Sequence, residues 1–374
     1  MGITRIANVT GLDSIGIPVT MVCRPNSRSI SVSQGKGATL DAARASGLME
    51  SVELFHAEGA TFPLRLASYL DLRYSTRVAD PAQLPSVKGS RFHPMQRILW
   101  CEGRDLLAAD QSVFVPFELV HMDATQPLPG AGCFPCGSNG LASGNNLPEA
   151  IAHGLCELVE RDAMTMWMLR GALDETRVNP DTVDEPGCRE LLDKFARAGI
   201  AVGVWEITSD VGIAAFTCLI LPEREGVLRH EAHATGHGCH PARAVALSRA
   251  LTECAQSRLT MIAGARDDAK RENYRGITDR DGLAKLRARL AADATRDFRN
   301  APNFDGASID EDLAWSIERV RGAGVEQVIV VDLTRREFGI PVARVIAPGL
   351  ETAVTPQFMP GARARAVLAS KGSA

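Results

Sequence analysis

Long apolar runs are missing from this sequence: no stretch approaches the ~18–20 consecutive apolar residues that a membrane-spanning helix needs. The opening MGITRIANVTGLDSIGIP has neither a basic start nor an apolar core, so it does not read as a secretory signal. Ile6 stands where a myristoylation pattern needs Ser or Thr. A basic excess is lacking too. The 41 Lys and Arg face 45 Asp and Glu, a formal net charge of -4, which argues against nucleic acid as a partner. Aromatic residues are few at 5%, yet apolar residues at 45% and charged residues at 23% keep the ordinary balance of a folded enzyme. These absences lead to the expectation of a cytoplasmic protein with no membrane and no nucleic-acid partner.

The nine cysteines are odd in number and scattered, which is not a secreted disulfide framework. Cys133 and Cys136 form a CxxC, but no second CxxC and no HxxxH at finger spacing completes a zinc site. They read as structural or incidental thiols. A Walker loop is missing: with Gly35 and Lys36 as its end, Ile30 occupies the place of its first glycine. A di-iron bundle needs two Glu-x-x-His pairs, and Glu53 with His56 supplies one.

Helical periodicity marks residues 38–57, 148–170, 241–264, 281–294 and 308–323. Strand-like runs mark 29–34, 112–119, 201–208, 214–222, 327–334 and 342–348. The two interleave, which predicts a mixed α/β (α+β) fold. No low-complexity linker divides the chain, so a single composite domain over 1–374 is expected. The charged stretch at 265–282 reads as a solvated surface, and the basic C-terminal end as a frayed tail.

The chain does contain an internal repeat. ARASGLMESVE (43–53), AIAHGLCELVE (150–160) and ALSRALTECAQ (246–256) all fit A-x3-[G/A]-L-x-E-x2-[E/Q]. On a helix, residues three apart share a face. Glu50 with Glu53, Glu157 with Glu160, and Glu253 with Gln256 therefore form adjacent pairs. Small and apolar neighbours at fixed offsets point to close packing rather than a solvated face. Partly buried carboxylates need a counter-charge or a metal, and convergent oxygen ligands suit Mg2+ with phosphate. Glu149 returns to nearly the same face as Glu157. Arg161, Arg249 and Arg258 flank the pairs, and arginine can hold phosphate with two hydrogen bonds or simply neutralise Glu. The turns SQGKGAT, with Lys36, and SNGLASGNN lead into helix starts, where anions are favoured.

These residues carry a resemblance to the YcaO family. QGKGAT with SGLMESVE resembles its first nucleotide-site motif, SNGLASGNNLPEAIAHGLCELVERDA its second, and ALSRALTECAQSR its third; VARVIAPGLE resembles a late family segment. The resemblance covers about 33–351 and leaves a short tail, 352–374. It implies an α/β fold with internally similar halves, in which helices bearing Glu pairs pack on β-sheet around an ATP site unlike a P-loop. By that resemblance ATP and Mg2+ are the cofactors, and Glu50, Glu53, Glu157 and Glu160 are metal-side ligands. Lys36, Ser46, Asn145, Glu149, Arg161, Arg249, Glu253 and Gln256 are nucleotide-site residues, with Arg161 and Arg249 catalytic. One departure is Leu54, where the family often has arginine after the first pair. The family's N-terminal basic contact has no clear match beyond Arg5.

The implied chemistry is phosphorylation of a peptide backbone amide oxygen, followed by attack at the carbonyl carbon. Sulfide as nucleophile gives a thioamide; a neighbouring Cys, Ser or Thr side chain gives an azoline. The chain ends PQFMPGARARAVLASKGSA, without the PxPxP of ring-forming members. Its opening looks like stand-alone members that work with TfuA. The expectation is therefore thioamidation of a ribosomally made precursor peptide or protein, with a TfuA-like sulfur-delivery protein, a separate leader-binding protein and a homodimer as candidate partners. The alternatives are an azoline- or amidine-forming cyclodehydratase and a catalytically idle ATP- or peptide-binding scaffold.

Overall fold

The computed structural model describes residues 1–171, 174–223, 233–268, 280–355 and 358–372. In chain order the elements are β1 (Arg5–Asn8), β2 (Val19–Cys23), β3 (Val32–Lys36), α1 (Leu40–Glu58), β4 (Leu64–Ala67), α2 (Tyr69–Arg73), β5 (Ile98–Asp105), β6 (Gln111–Pro116), β7 (Leu141–Ser143) and α3 (Leu147–Arg170). There follow α4 (Pro186–Arg197), β8 (Ile200–Glu206), β9 (Ala215–Pro222), β10 (Ala234–Cys239), α5 (Arg243–Ala263), α6 (Arg280–Ala291), α7 (Ile309–Gly322), β11 (Ile329–Asp332), β12 (Val342–Ile346) and α8 (Ala362–Gly372). Helices and antiparallel sheets alternate along the chain, so the mixed α/β expectation holds.

The chain forms two compact units. The first is Met1–Ser51, Ala172–Thr208 and Gly212–Asp305; the second is Val52–Gly171, Ser209–Val211 and Gly306–Ala374. The boundary falls inside α1, so Glu50 belongs to the first unit and Glu53 to the second.

The first unit holds two three-stranded antiparallel sheets, ordered β1-β2-β3 and β10-β9-β8. Its core joins Val19, Met21 and Val32 to Phe195, Phe216, Ile220, Leu247, Leu251 and Phe298. Burying each such side chain contributes about 1.5–3 kcal/mol. β10 reads ATGHGC, which has little strand character, because α5 lies directly against it. A Cβ at Gly236 would sit 2.3 Å from Ala250 O, and one at Gly238 2.1 Å from Ala246 O. Glycine is required there for backbone approach.

The second unit holds a six-stranded sheet in the order β4-β5-β11-β12-β7, with β6 paired to β5. Trp100, Val113, Val115, Val330, Val342 and Val345 are buried in it. α3 opens on Asn146, whose side chain accepts the Glu149 N–H at 2.9 Å. It closes where Gly171 takes φ 107°, a left-handed cap. Its face of Ala150, Ile151, Gly154, Leu155, Val159, Ala163 and Met166 is buried, as the 3.6-residue spacing predicts.

The five predicted helices all form. Of the predicted strands, 29–34 moves to Val32–Lys36, and 112–119 forms as β6 up to Pro116 before a helical turn at Phe117–Leu119. The end of the chain is not a frayed tail. α8 is tied to α3 by Arg363, whose Nε and Nη2 donate to Asp162 Oδ1 and Oδ2 at 3.0 and 3.1 Å. Glu351 closes the start of α8 by accepting Gly361 N–H and Ala364 N–H, each at 2.8 Å.

Candidate functional site

One hydrogen bond recurs in all three copies of the repeat. The first glutamate of each repeat pair accepts a backbone N–H from the strand or turn before it. Glu50 Oε2 takes Gln34 N–H at 3.0 Å, Glu157 Oε2 takes Gly140 N–H at 3.1 Å, and Glu253 Oε1 takes His237 N–H at 3.2 Å. The sequence separations are 16, 17 and 16 residues. The small residues of the repeat make this possible. A Cβ at Gly35 would lie 2.2 Å from Gly47 N, and one at Gly154 2.8 Å from Gly140 O. A carboxylate anchored on an N–H keeps one oxygen in place, which prepares it for a cation.

In the first unit these groups form a polar seam between β3 and α5. Lys36 pairs with Glu253. Gln34 meets Thr260 through its side chain. Arg249 Nη1 reaches Cys239 O at 3.4 Å, while Gln256 and Ser46 are half-buried on α5 and α1. Next to Arg249, His240 has its pKa pushed down to about 4, first by burial and then by that guanidinium. Its Nδ1 accepts the Ala242 N–H at 3.0 Å, so the ring is neutral.

In the second unit Arg161 Nη2 lies 3.6 Å from Glu157 and 3.7 Å from Glu160, and Glu160 is 8% exposed. Glu53 Oε1 accepts both the N–H and the hydroxyl of Ser143, at 2.9 and 2.6 Å. Asn145 binds Glu149 through its N–H and its amide, each at 2.9 Å, so Glu149 closes the turn ahead of α3. Ahead of β7, the turn at 137–140 is held by Arg344 of β12, 1% exposed. Its Nη1 donates to Gly137 O and Asn139 O at 2.8 Å, and its Nη2 to Val120 O at 3.1 Å. Burial pushes its pKa down to about 10, while Glu157 and Glu53 support the charge. Arg344 thus fixes the turn that presents Gly140 N–H and supplies a resident positive charge below two acidic side chains.

The sequence reading had Arg344 only inside a family segment. The signal available was one arginine in an otherwise apolar strand, VARVI. Gln34, Ser143 and Arg344 are additions to the candidate set. Leu54 is 3% exposed and belongs to the core, and Arg5 lies exposed on β1. Of the stretch 265–282, residues 269–279 lie outside the described residues. Among the rest, Arg266 is half-buried and Asp267 is bound to Ser31, so this part is not simply a solvated surface. Cys133 and Cys136 are neighbours of this turn. Burial pushes both thiols up, although Cys136 itself stands at the surface.

Among the described residues no three His, Cys, Asp or Glu side chains form a ready-made metal cage. Mg2+ seldom uses one: it takes one or two carboxylates, keeps waters and recruits phosphate oxygens. The N–H-anchored Glu157, paired with Glu160 beside Arg161, suits an Mg2+ that arrives with a nucleotide.

The sequence pattern of a family described as YcaO cyclodehydratase, ATP- and Mg2+-binding, matches residues 34–351. An uncharacterised protein from the tfuA 3′ region of Rhizobium leguminosarum bv. trifolii is 37% identical over 370 residues, covering 96% of this chain and 86% of the relative. The structure of YcaO from Methanopyrus kandleri bound with AMPPCP and Mg2+ superposes with a TM-score of 0.72 at 25% identity, covering 96% of this chain and 91% of that one. A heterocyclase in complex with substrate and cofactor shares the fold at a TM-score of 0.80 and 24% identity. It covers 97% of this chain, which spans about half (51%) of the heterocyclase. No helix among the described residues is long and apolar enough to cross a membrane.

Proposed function

This chain belongs to the YcaO family of ATP- and Mg2+-binding, cyclodehydratase-like enzymes, and on that premise we propose that it converts a peptide backbone amide into a thioamide. The amide oxygen attacks the γ-phosphorus of ATP and ADP leaves. Sulfide then adds to the imidate carbon, and phosphate departs with the original oxygen. An amide oxygen is a poor leaving group until it is phosphorylated, and the accumulating charge must be stabilised by fixed cations.

Glu50, Glu53, Glu157 and Glu160 are the proposed metal-side ligands. When bound, Mg2+ would neutralise charge on the phosphate oxygens. Arg161 and Arg249 hold the transferred phosphate. Lys36, Ser46, Asn145, Glu149, Glu253 and Gln256 shape the nucleotide pocket. The anchored glutamates support the activation step. The observation that carries the choice of product is the relative encoded in the tfuA 3′ region, which matches nearly the whole chain. The proposed partners are a ribosomally made precursor peptide or protein, a TfuA-like sulfur-delivery protein, a separate leader-binding protein and a second copy of this chain.

A second reading, azoline or amidine formation, draws on the family's description as cyclodehydratase and on the heterocyclase fold. Intact mass separates the two. The full chain is incubated with a peptide encoded beside its gene, Mg·ATP, sulfide and any adjacent TfuA-like protein. Thioamidation gives a sulfide-dependent mass gain equal to exchange of O for S. Loss of one water without sulfide overturns it in favour of ring formation.

A further inference from the structure

In the second unit the cation for the acidic pair is local: Arg161 directly follows Glu160 on α3. The matching position on α1 is Leu54, which is buried in the core. The remaining cation on α1, Arg44, is exposed and pairs with Asp41 at 3.0 Å. α1 therefore brings no arginine of its own to Glu50.

The chain leaving α5 supplies one. Gly264 ends α5 with φ 58° and turns the backbone. Asp267 Oδ2 then accepts the Ser31 N–H at 3.1 Å and the Ser31 hydroxyl at 2.8 Å. Ser31 stands three residues before Gln34, whose N–H holds Glu50, and Thr260 in the last turn of α5 reaches the Gln34 side chain. The segment is thus fastened on both sides of Arg266, to Gln34 of β3 and to Ser31 just before that strand. The Arg266 guanidinium is gripped by Asp268, with Nε to Oδ1 at 2.7 Å and Nη2 to Oδ2. Asp268 raises the Arg266 pKa above its ordinary value against burial, and Glu50 acts in the same direction.

We propose that Arg266 is a further phosphate-holding cation of the first unit besides Arg249, parked on Asp268 until a nucleotide binds and then turning its fork onto a phosphate oxygen beside Glu50. The chemistry recognised is the polyphosphate of a nucleoside triphosphate, so this inference rests on the ATP-site reading above. Asp268 suits the parking role: its side chain is 44% exposed, so a phosphate can displace it at little cost in buried charge.

The test is equilibrium binding of Mg·AMPPCP to the full chain, with thermal melting alongside. Losing one charge-assisted fork should weaken binding about tenfold in Arg266→Gln, with Arg266→Lys intermediate. Asp268→Asn frees the arginine and should leave binding unchanged or tighter. If the pair is merely structural, Arg266→Gln and Asp268→Asn lower the melting midpoint equally and both bind as wild type, which overturns the proposal. Glu157→Gln separates the two levels. If it loses the nucleotide while Arg266→Gln keeps it, the Arg266 role fails alone; if both keep it, the ATP-site reading fails as well.

Discussion

Glu157 of the second unit and Glu50 of the first accept the same kind of backbone N–H over nearly the same chain distance. Their cations arrive by different routes. Glu157 has Arg161 from the next turn of its own helix and Arg344 buried below it. In the first unit Lys36 comes from β3 to Glu253, and Arg266 comes from beyond the end of α5 toward Glu50. The anchoring N–H is local to each strand–turn–helix copy, so it repeats wherever the copy repeats. The counter-charge is not bound by that geometry, and each unit has found its own.

The harshest way to break the symmetry is to cut what only the second unit has. Arg363→Met leaves Asp162, which is 0% exposed, as an uncompensated buried carboxylate one residue after Arg161. A loss of about 3–5 kcal/mol in unfolding free energy is expected, read by urea titration. Early loss of amide-exchange protection in α3 and α8 should accompany it. A loss under 1 kcal/mol would show that α8 is not anchored by this pair.

Next in size, Glu157→Ala and Glu160→Ala should each lower ATP turnover by about 100-fold or more with unchanged circular dichroism. Glu253→Ala, which removes the Lys36 partner in the other unit, should raise KM for ATP more than it lowers kcat. Full turnover in either second-unit variant would sink the metal-side assignment.

The smallest effect belongs to His240, which stands six residues before Ala246 where the other two copies have Gly37 and Gly144. Its pKa is about 4 when folded against 6.5 for the free group. Between those values the unfolded chain binds a proton that the native chain does not. Stability is therefore full above about pH 6.5 and falls as pH drops toward 4, by about 2 kcal/mol between pH 7 and 5. His240→Asn should flatten that slope in urea melts at the two pH values. An unaltered slope would show that other groups dominate it.

Much of this was legible in the sequence. α1, α3 and α5 follow from apolar spacing, and the carboxylate pairs were placed on them by residue number. Their small neighbours announced close packing, which Gly35, Gly154 and Gly236 bear out. β10 was not legible, because two of its six residues are glycines that weaken a strand unless a helix backbone comes against them. α8 read as a loose end because the residues that hold it, Asp162 and Glu351, are distant in sequence. Arg266 read as surface for the same reason: its neighbour Asp267 meets Ser31 across 236 positions.

The sequence by itself determined the family, the mixed α/β class, the three acidic helices and the lack of any P-loop, since all of these depend on residue spacing within one element or one strand–turn–helix unit. Only the tertiary structure decided which N–H each glutamate takes, which arginine stands beside it and how the C-terminal helix is fastened. A hydrogen bond or ion pair is satisfied by whatever group the chain path brings within about 3 Å, and that path is set by packing of the whole unit rather than by order along the chain.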